Sequence, residues 1–511
     1  VNPGEGTPVD LVGGRLLARN SVLNLAGQGL PMIVAIIAIP YLIEGLGLGR
    51  YGVLTLIWMV IGYFGLFDFG LGRALTRVLA ERLAEGREEQ IPVVAWTALG
   101  GMVLLGTAGA LLVAAITPWL VTRALSIPVE MQQEALWSFY LLAASLPVVI
   151  SMVSMQGMLE AKQRFGTMNA IRTPISILTY LAPLAILPFS SSLVPVVLVS
   201  LAGRVIGWLV FFAACLRVYP GLLGGFGFSL DAIRPLLRIG GWMTVTNIVS
   251  PLMTYLDRFL IGALLSVTAV AYYVTPYEII TKLWLVPTAL SGVFFPAFAA
   301  SYVRDRAYTA YLFGRAISVL LVLLLPVSIA LTVLAEDGFT AWLGAEFAAQ
   351  SAPVFQWLAI GVFVNCIAQM PFLLLQSVGR PDLTARVHLV ELPLYLVLLW
   401  WALINYGILG AAFAWTVRIV VDTGVMMALC RRILPESRRA VNRSGAALAA
   451  SVTLMGLASL ATSPQGKGIA LGLSLLALVI GTWMVLLAED QRSWIRRRLG
   501  DRARGSLSAR V

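Results

Sequence analysis

A short set of charged residues stands inside apolar runs of this chain, where a charge must be either answered or used: Arg204, Asp257, Arg258, Glu278, Lys282, Glu391, Arg418 and Asp422. A charge at the centre of a hydrocarbon layer costs about 2.5–3.5 kcal/mol on insertion scales. Each of these residues therefore needs an internal partner, an ion to hold, or a charged ligand. Their spacing separates them. Glu278 and Lys282 are one helical turn apart with the acid first, the favourable order, and Arg418 and Asp422 are spaced the same way. Either pair can neutralise itself within its own helix or serve a ligand. Asp257 and Arg258 are adjacent, so they point about 100° apart and cannot simply cancel. Arg204 has no acid within one turn; its neighbours are Ser200, Leu201, Gly207 and Trp208. A guanidinium in that position is expected to meet an acid from another helix or an anionic ligand that accepts its forked donors.

Other polar residues complete the inventory. Asn20, Asn24 and Gln28 recur one turn apart and define one wet stripe, suited to lining a cavity or bonding a neighbouring helix. Asp68 and His388 lie nearer the ends of their apolar runs. His388 is the sole histidine and precedes Glu391 by three residues, too few ligands for a closed metal site. It reads as a polar residue near one membrane face, with a proton relay as the alternative. Cys215, Cys366 and Cys430 have neither disulfide nor metal spacing, so no metal is expected. Gly47-x-Gly49-x-x-Gly52 matches the dinucleotide fingerprint literally, but no strand precedes it. No phosphate-binding G-x-x-x-x-G-K-[ST], H-E-x-x-H or C-x-x-C occurs, so a transporter is expected rather than an enzyme.

The elements that must hold these residues are membrane helices. Hydrophobic residues make up 59% of the 511 positions and charged ones 12%, about half the share of a soluble domain. Apolar runs long enough to cross about 30 Å of hydrocarbon recur throughout. They read as spans near 20–43, 51–69, 92–116, 135–158, 170–189, 193–216, 240–264, 270–296, 314–335, 353–376, 387–405, 409–430, 445–462 and 468–488. The expected fold is an all-α polytopic protein of about fourteen transmembrane helices.

The net charge of +11 is not a nucleic-acid patch, because the cations fall in clusters between spans. Arg73, Arg77, Arg82 and Arg87 form one such cluster; Arg431, Arg432, Arg438, Arg439 and Arg443 form another. The opposite loops hold only Arg50, Arg123 and Lys467. The positive-inside rule then places both termini in the cytoplasm, and no signal peptide is expected at the start. Arg204 and Arg418 lie midway along the sixth and twelfth spans, a trace of duplication. The organisation is a cytoplasmic segment 1–19, a lobe 20–216, a linker 217–239, a second lobe 240–430, a linker with two appended spans 431–488, and a basic tail 489–511.

Several stretches carry a family resemblance. Asn24-Leu-Ala-Gly27, Gly49-Arg-Tyr-Gly52 and Leu66-Phe-Asp68-Phe-Gly70 resemble the opening of polysaccharide flippases. Leu256-Asp257-Arg258-Phe259, Phe295-Pro296-Ala297, Gly379-Arg380-Pro381, Glu391-Leu-Pro393 and Tyr406-Gly407-Ile-Leu-Gly410 continue it in order. The chain is thus similar to the polysaccharide-transport, or O-antigen flippase, branch of the multidrug/oligosaccharidyl-lipid/polysaccharide exporter superfamily.

That resemblance implies two six-helix lobes around a central cavity with two appended helices, in the bacterial inner membrane. It implies alternating access that moves an undecaprenyl-diphosphate-linked glycan between leaflets for surface polysaccharide, with polysaccharide polymerase machinery as a further partner. In such a site Arg204, Arg258, Arg418 and Lys282 would receive the diphosphate. Asp257, Glu278, Glu391, Asp422 and Asp68 would answer them or couple to H+ or Na+, and no other cofactor is implied. A multidrug-type cation antiporter and a membrane polymerase or ligase are the alternatives. The first calls for an acidic aromatic cavity and the second for a large outer loop.

Overall fold

In a computed structural model the chain is described at residues 14–66, 71–224, 227 and 252–481. Side chains at 14–28, 65–66, 73, 477–478 and 480–481 lie outside that description, as does the whole of Asp68. Among the described residues every regular element is helical, which is the economical way to satisfy a backbone in lipid.

The helices in chain order are α1 (Gly14–Leu46), α2 (Leu48–Leu66), α3 (Leu71–Ala84), α4 (Ile91–Trp119), α5 (Val129–Ala161), α6 (Phe165–Ile186) and α7 (Leu193–Val218). After them come α8 (252–264), α9 (Val267–Ile280), α10 (Leu285–Arg304), α11 (Arg306–Val333), α12 (Ala335–Leu343) and α13 (Ala345–Ser377). The series ends with α14 (Pro381–Ile433), α15 (Arg438–Ser459) and α16 (Pro464–Gly481). Among the described residues, eight helical stretches are long and apolar enough to cross a membrane, so this is a multi-pass membrane protein.

Three elements depart from the span map. The 270–296 stretch is interrupted by a tight 3-10 turn at Thr281–Trp284, between α9 and α10. The short α12 caps the end of α11, and Lys467 at the start of α16 reaches its Asp337 at 2.7 Å. The spans read at 387–405 and 409–430 share one 53-residue helix, interrupted at Gly407, whose φ of 58° and ψ of −143° only glycine adopts readily. There the chain doubles back: a Cβ at Gly410 would lie 2.0 Å from the Ala402 carbonyl oxygen, so glycine is required for the two arms to close.

The chain forms two compact units, Val1–Val274 and Thr275–Val511. In the first, α5 is the spine. Gly106 lets α4 approach so closely that a Cβ would sit 2.5 Å from the Pro147 backbone. From α7, the Cys215 thiol donates to the Met155 carbonyl and the Trp208 indole donates to Ser151 at 2.8 Å. The glycines of the apparent dinucleotide motif have structural work here. Gly47 takes φ +76° in the turn from α1 to α2, and a side chain at Gly52 would strike the Val267 carbonyl.

The second unit repeats that plan around α13, which has the same 33-residue length as α5. Both spines end in a turn whose next-to-last residue has positive φ, Gln163 in one and Gly379 in the other. Arg164 and Arg380 then donate backbone N–H groups to Leu159 and Leu375. Further on, the Cys430 thiol donates to the Pro371 carbonyl as Cys215 does to Met155. The helices finish at Tyr219 (φ −130°, ψ 78°) and Leu434 (φ −124°, ψ 81°), and each is followed by a proline-led 3-10 turn. The duplication suspected from Arg204 and Arg418 is therefore written in backbone geometry.

Candidate functional site

The hairpin of α14 assembles a charged cluster in the second unit. A straight helix would put His388 and Asp422 roughly 50 Å apart. The reversal at Gly407 instead brings His388 Nε2 to 3.6 Å from Asp422 Oδ1, and Arg418 Nη1 to 3.7 Å from Glu391 Oε1. Asp422 thus meets the opposite arm, not the arginine one turn before it. All four side chains are about nine-tenths buried: 9% exposed for Arg418, 10% for Glu391 and 11% for His388 and Asp422. Among the described residues, neither Glu391 oxygen nor Asp422 Oδ1 accepts a hydrogen bond. Aromatic rings wall the cluster, with Tyr395 under the Arg418 guanidinium at 5.2 Å and Phe372 of α13 stacked on the His388 imidazole. One ligand atom each from His388, Glu391 and Asp422 falls within 4.8 Å of the others.

In the first unit Arg204 is differently placed. It makes no hydrogen bond or ion pair among the described residues, although it is partly buried midway along a helix of 26 residues. It stands between two cavities. One, walled by α2, α5 and α7 with Trp58, Ser145 and Ser200 on its lining, has room for about one water. The other is an open groove of about 200 Å³ between α6 and α7, lined by apolar and small residues such as Leu178, Ala182, Ala202 and Gly203.

The repeat explains why Arg204 has no counter-charge. Counted from the shared turn, Ile175 follows Arg164 by as many residues as Glu391 follows Arg380. Counted back from the shared helix end, Gly207 holds the place of Asp422, and Arg204 lies one residue on from the place of Arg418. Ile175 and Gly207 are indeed neighbours: a Cβ on Gly207 would fall 2.3 Å from Ile175 Cδ1. Where the second unit carries two acids, the first carries an isoleucine and a glycine.

The remaining expected residues fall elsewhere. Asp257 is fully enclosed on α8, where its carboxylate accepts from the Tyr273 hydroxyl at 2.6 Å and from the Arg258 backbone N–H at 2.8 Å. Arg258, 2% exposed, lies with its guanidinium 5.1 Å from the centre of the Tyr255 ring. Glu278 and Lys282 pair with each other at 3.4 Å, about 40% exposed. Asn20, Asn24 and Gln28 fall on α1, their side chains outside the description, and Asp68 lies outside the described residues altogether. His388, read from the sequence as a polar residue near one membrane face, belongs with the cluster. The available signal was order: two polar residues on one arm of a hairpin, 19 and 16 residues before Gly407, and two on the next, 11 and 15 after it.

Comparison with known proteins follows this geometry. The profile of the family described as polysaccharide biosynthesis protein matches residues 17–302. A Shigella flexneri protein named as an O-antigen transporter is 31% identical over 417 residues, covering 82% of this chain and 98% of the relative. Among solved structures, an inward-facing multidrug resistance MATE family transporter of the MOP superfamily aligns with a TM-score of 0.67 at 15% identity, over 84% of this chain and 98% of that one. The lipid II flippase MurJ in an inward closed conformation aligns with a TM-score of 0.67 at 12% identity, over 91% of this chain and 98% of its own. At those identities the two structures speak for the fold alone.

Proposed function

Since the chain belongs to the polysaccharide biosynthesis protein family, we propose that it is a flippase, moving undecaprenyl-diphosphate-linked oligosaccharide from the cytoplasmic to the outer leaflet of the bacterial inner membrane. The observation that carries this reading is Arg204: a cation midway along an apolar helix, without a protein partner among the described residues, at the edge of a groove open between α6 and α7. A diphosphate that crosses the hydrocarbon must be met by positive charge on the way. A guanidinium offers it two parallel charge-assisted hydrogen bonds. The apolar lining of the groove suits a lipid that stays in the bilayer while its head group is carried. Transport is driven by a cation gradient through the acids of the second unit, and no catalytic residue is required.

Expression in a bacterial strain lacking its own O-antigen flippase tests this. The wild-type chain restores surface polysaccharide, and Arg204→Ala does not, at equal membrane abundance. Resistance to quaternary-ammonium drugs without restored polysaccharide would overturn the reading in favour of a multidrug-type antiporter.

A further inference from the structure

We infer that the connection between α14 and α15 is a binding surface for anionic phospholipid headgroups; this needs only a multi-pass membrane protein and not the flippase reading. Arg431, Arg432, Arg438, Arg439 and Arg443 stand on this short connection, and all of them are exposed. Facing the other way are Cys430, Leu434, Ser437, Val441 and Ser444, none more than 6% exposed. Those buried positions recur every three or four residues, so the intervening arginines are left on the outward side. The surface is held in place. Within the proline-led turn Ser437 Oγ donates to the Leu434 carbonyl at 2.7 Å, and the first turn of α15 lies against α11, where a Cβ on Gly314 would fall 3.1 Å from the Ala440 Cβ.

Arginines are ordinary at a membrane face, because they set orientation. Other clusters, however, are answered locally. On α3, Arg77 meets Glu81 at 2.8 Å, and Arg82 and Arg87 meet Glu85 at 3.1 and 3.3 Å. Arg380 and Arg386 share Asp382. Among the described residues none of the arginines on the α14–α15 connection makes an ion pair, although Glu436 sits between Arg432 and Arg438. Nor does the shared backbone plan call for them: the matching turn of the first unit, Pro220–Leu223, reads Pro-Gly-Leu-Leu and carries no charge. The arginines begin where the apolar run of α14 ends, and α14 is long and apolar enough to cross a membrane. They therefore lie at the depth of lipid phosphates, whose oxygens accept the parallel donors of a guanidinium. An anionic lipid is already present at that depth, which favours it over an acidic protein that would have to be recruited.

Thermal stability of the full-length protein in neutral detergent tests this, with phosphatidylglycerol, phosphatidylcholine, inorganic phosphate or polyglutamate added and the folded fraction read by size exclusion. A ligand that binds the folded state raises apparent stability. The expected result is stabilisation by phosphatidylglycerol alone, weakened by salt. Combining Arg431→Gln, Arg432→Gln, Arg438→Gln and Arg439→Gln raises the phosphatidylglycerol needed by at least about tenfold. Lysine at the same positions retains the response, and Arg77→Gln with Arg82→Gln leaves it unchanged. Without lipid the glutamine variant is as stable as the wild type, because no pair has been opened. Equal stabilisation by phosphatidylcholine, or an undiminished response in the glutamine variant, overturns the inference. So does stabilisation by inorganic phosphate or polyglutamate without phosphatidylglycerol, which would assign the surface to a free anion or to an acidic protein.

Discussion

The two units use one backbone plan and opposite electrostatics. In the second, the charges within the apolar runs are paired: Glu278 with Lys282, Glu391 with Arg418, and Asp422 with His388. In the first, the acids' places are taken by Ile175 and Gly207, and Arg204 faces a groove instead. Two helix trios of the same backbone plan thus differ in that one closes a charge network and the other holds a cation with no partner among the described residues. The closed network pairs its own charges; the guanidinium without a partner among the described residues is the one the proposed function assigns to an anion.

The comparison breaks most visibly where a closed pair is opened. Glu391→Ala leaves Arg418 buried without its acid, and losing one partner of a buried pair costs about 3–5 kcal/mol. The expected result is a large fall in thermal stability, read by fluorescence-detected size exclusion after heating. Arg204→Ala opens nothing, so stability holds. A charged-group hydrogen bond is worth about 1.5–3 kcal/mol, so transport falls by roughly ten- to a hundredfold, measured as surface polysaccharide.

Smaller effects sharpen the picture. Gly407→Ala must place a side chain at positive φ with ψ of −143°, outside the left-handed helical region, which costs about 1–3 kcal/mol, and the expected result is a loss of stability. Lys282→Ala removes a pair about 40% exposed, and exposed pairs contribute about 0–1 kcal/mol. Neither stability nor transport should change measurably.

Much of this was legible in the residue order. The membrane class, the helical fold and the family resemblance follow from apolar runs, charge clusters and motif order, and all three hold. Arg204 could be singled out because its loneliness is local: no acid lies within a turn on its own helix. The cluster could not be read the same way, since Asp422 meets His388 only through a reversal whose sign is the backbone angle of Gly407. Helical spacing suggested Arg418 with Asp422; packing across the arms chose Glu391 instead. The break at Thr281–Trp284 was hidden for a related reason, because a run of apolar residues does not reveal a change of helical pitch. Arg258 is buried on α8, which its place in the residue order did not show.

The most direct test of the contrast is substrate-dependent thermal stabilisation of the purified protein by undecaprenyl-diphosphate oligosaccharide, which raises apparent stability by RT ln(1 + [L]/Kd). It is to be measured in the wild type, Arg204→Ala, Ile175→Glu and His388→Asn. The account predicts stabilisation of the wild type and of His388→Asn. Arg204→Ala loses it, and so does Ile175→Glu, because the new carboxylate gives Arg204 the partner that Arg418 already has. Undiminished stabilisation in both Arg204→Ala and Ile175→Glu would contradict the claim that the unanswered arginine of the first unit receives the diphosphate.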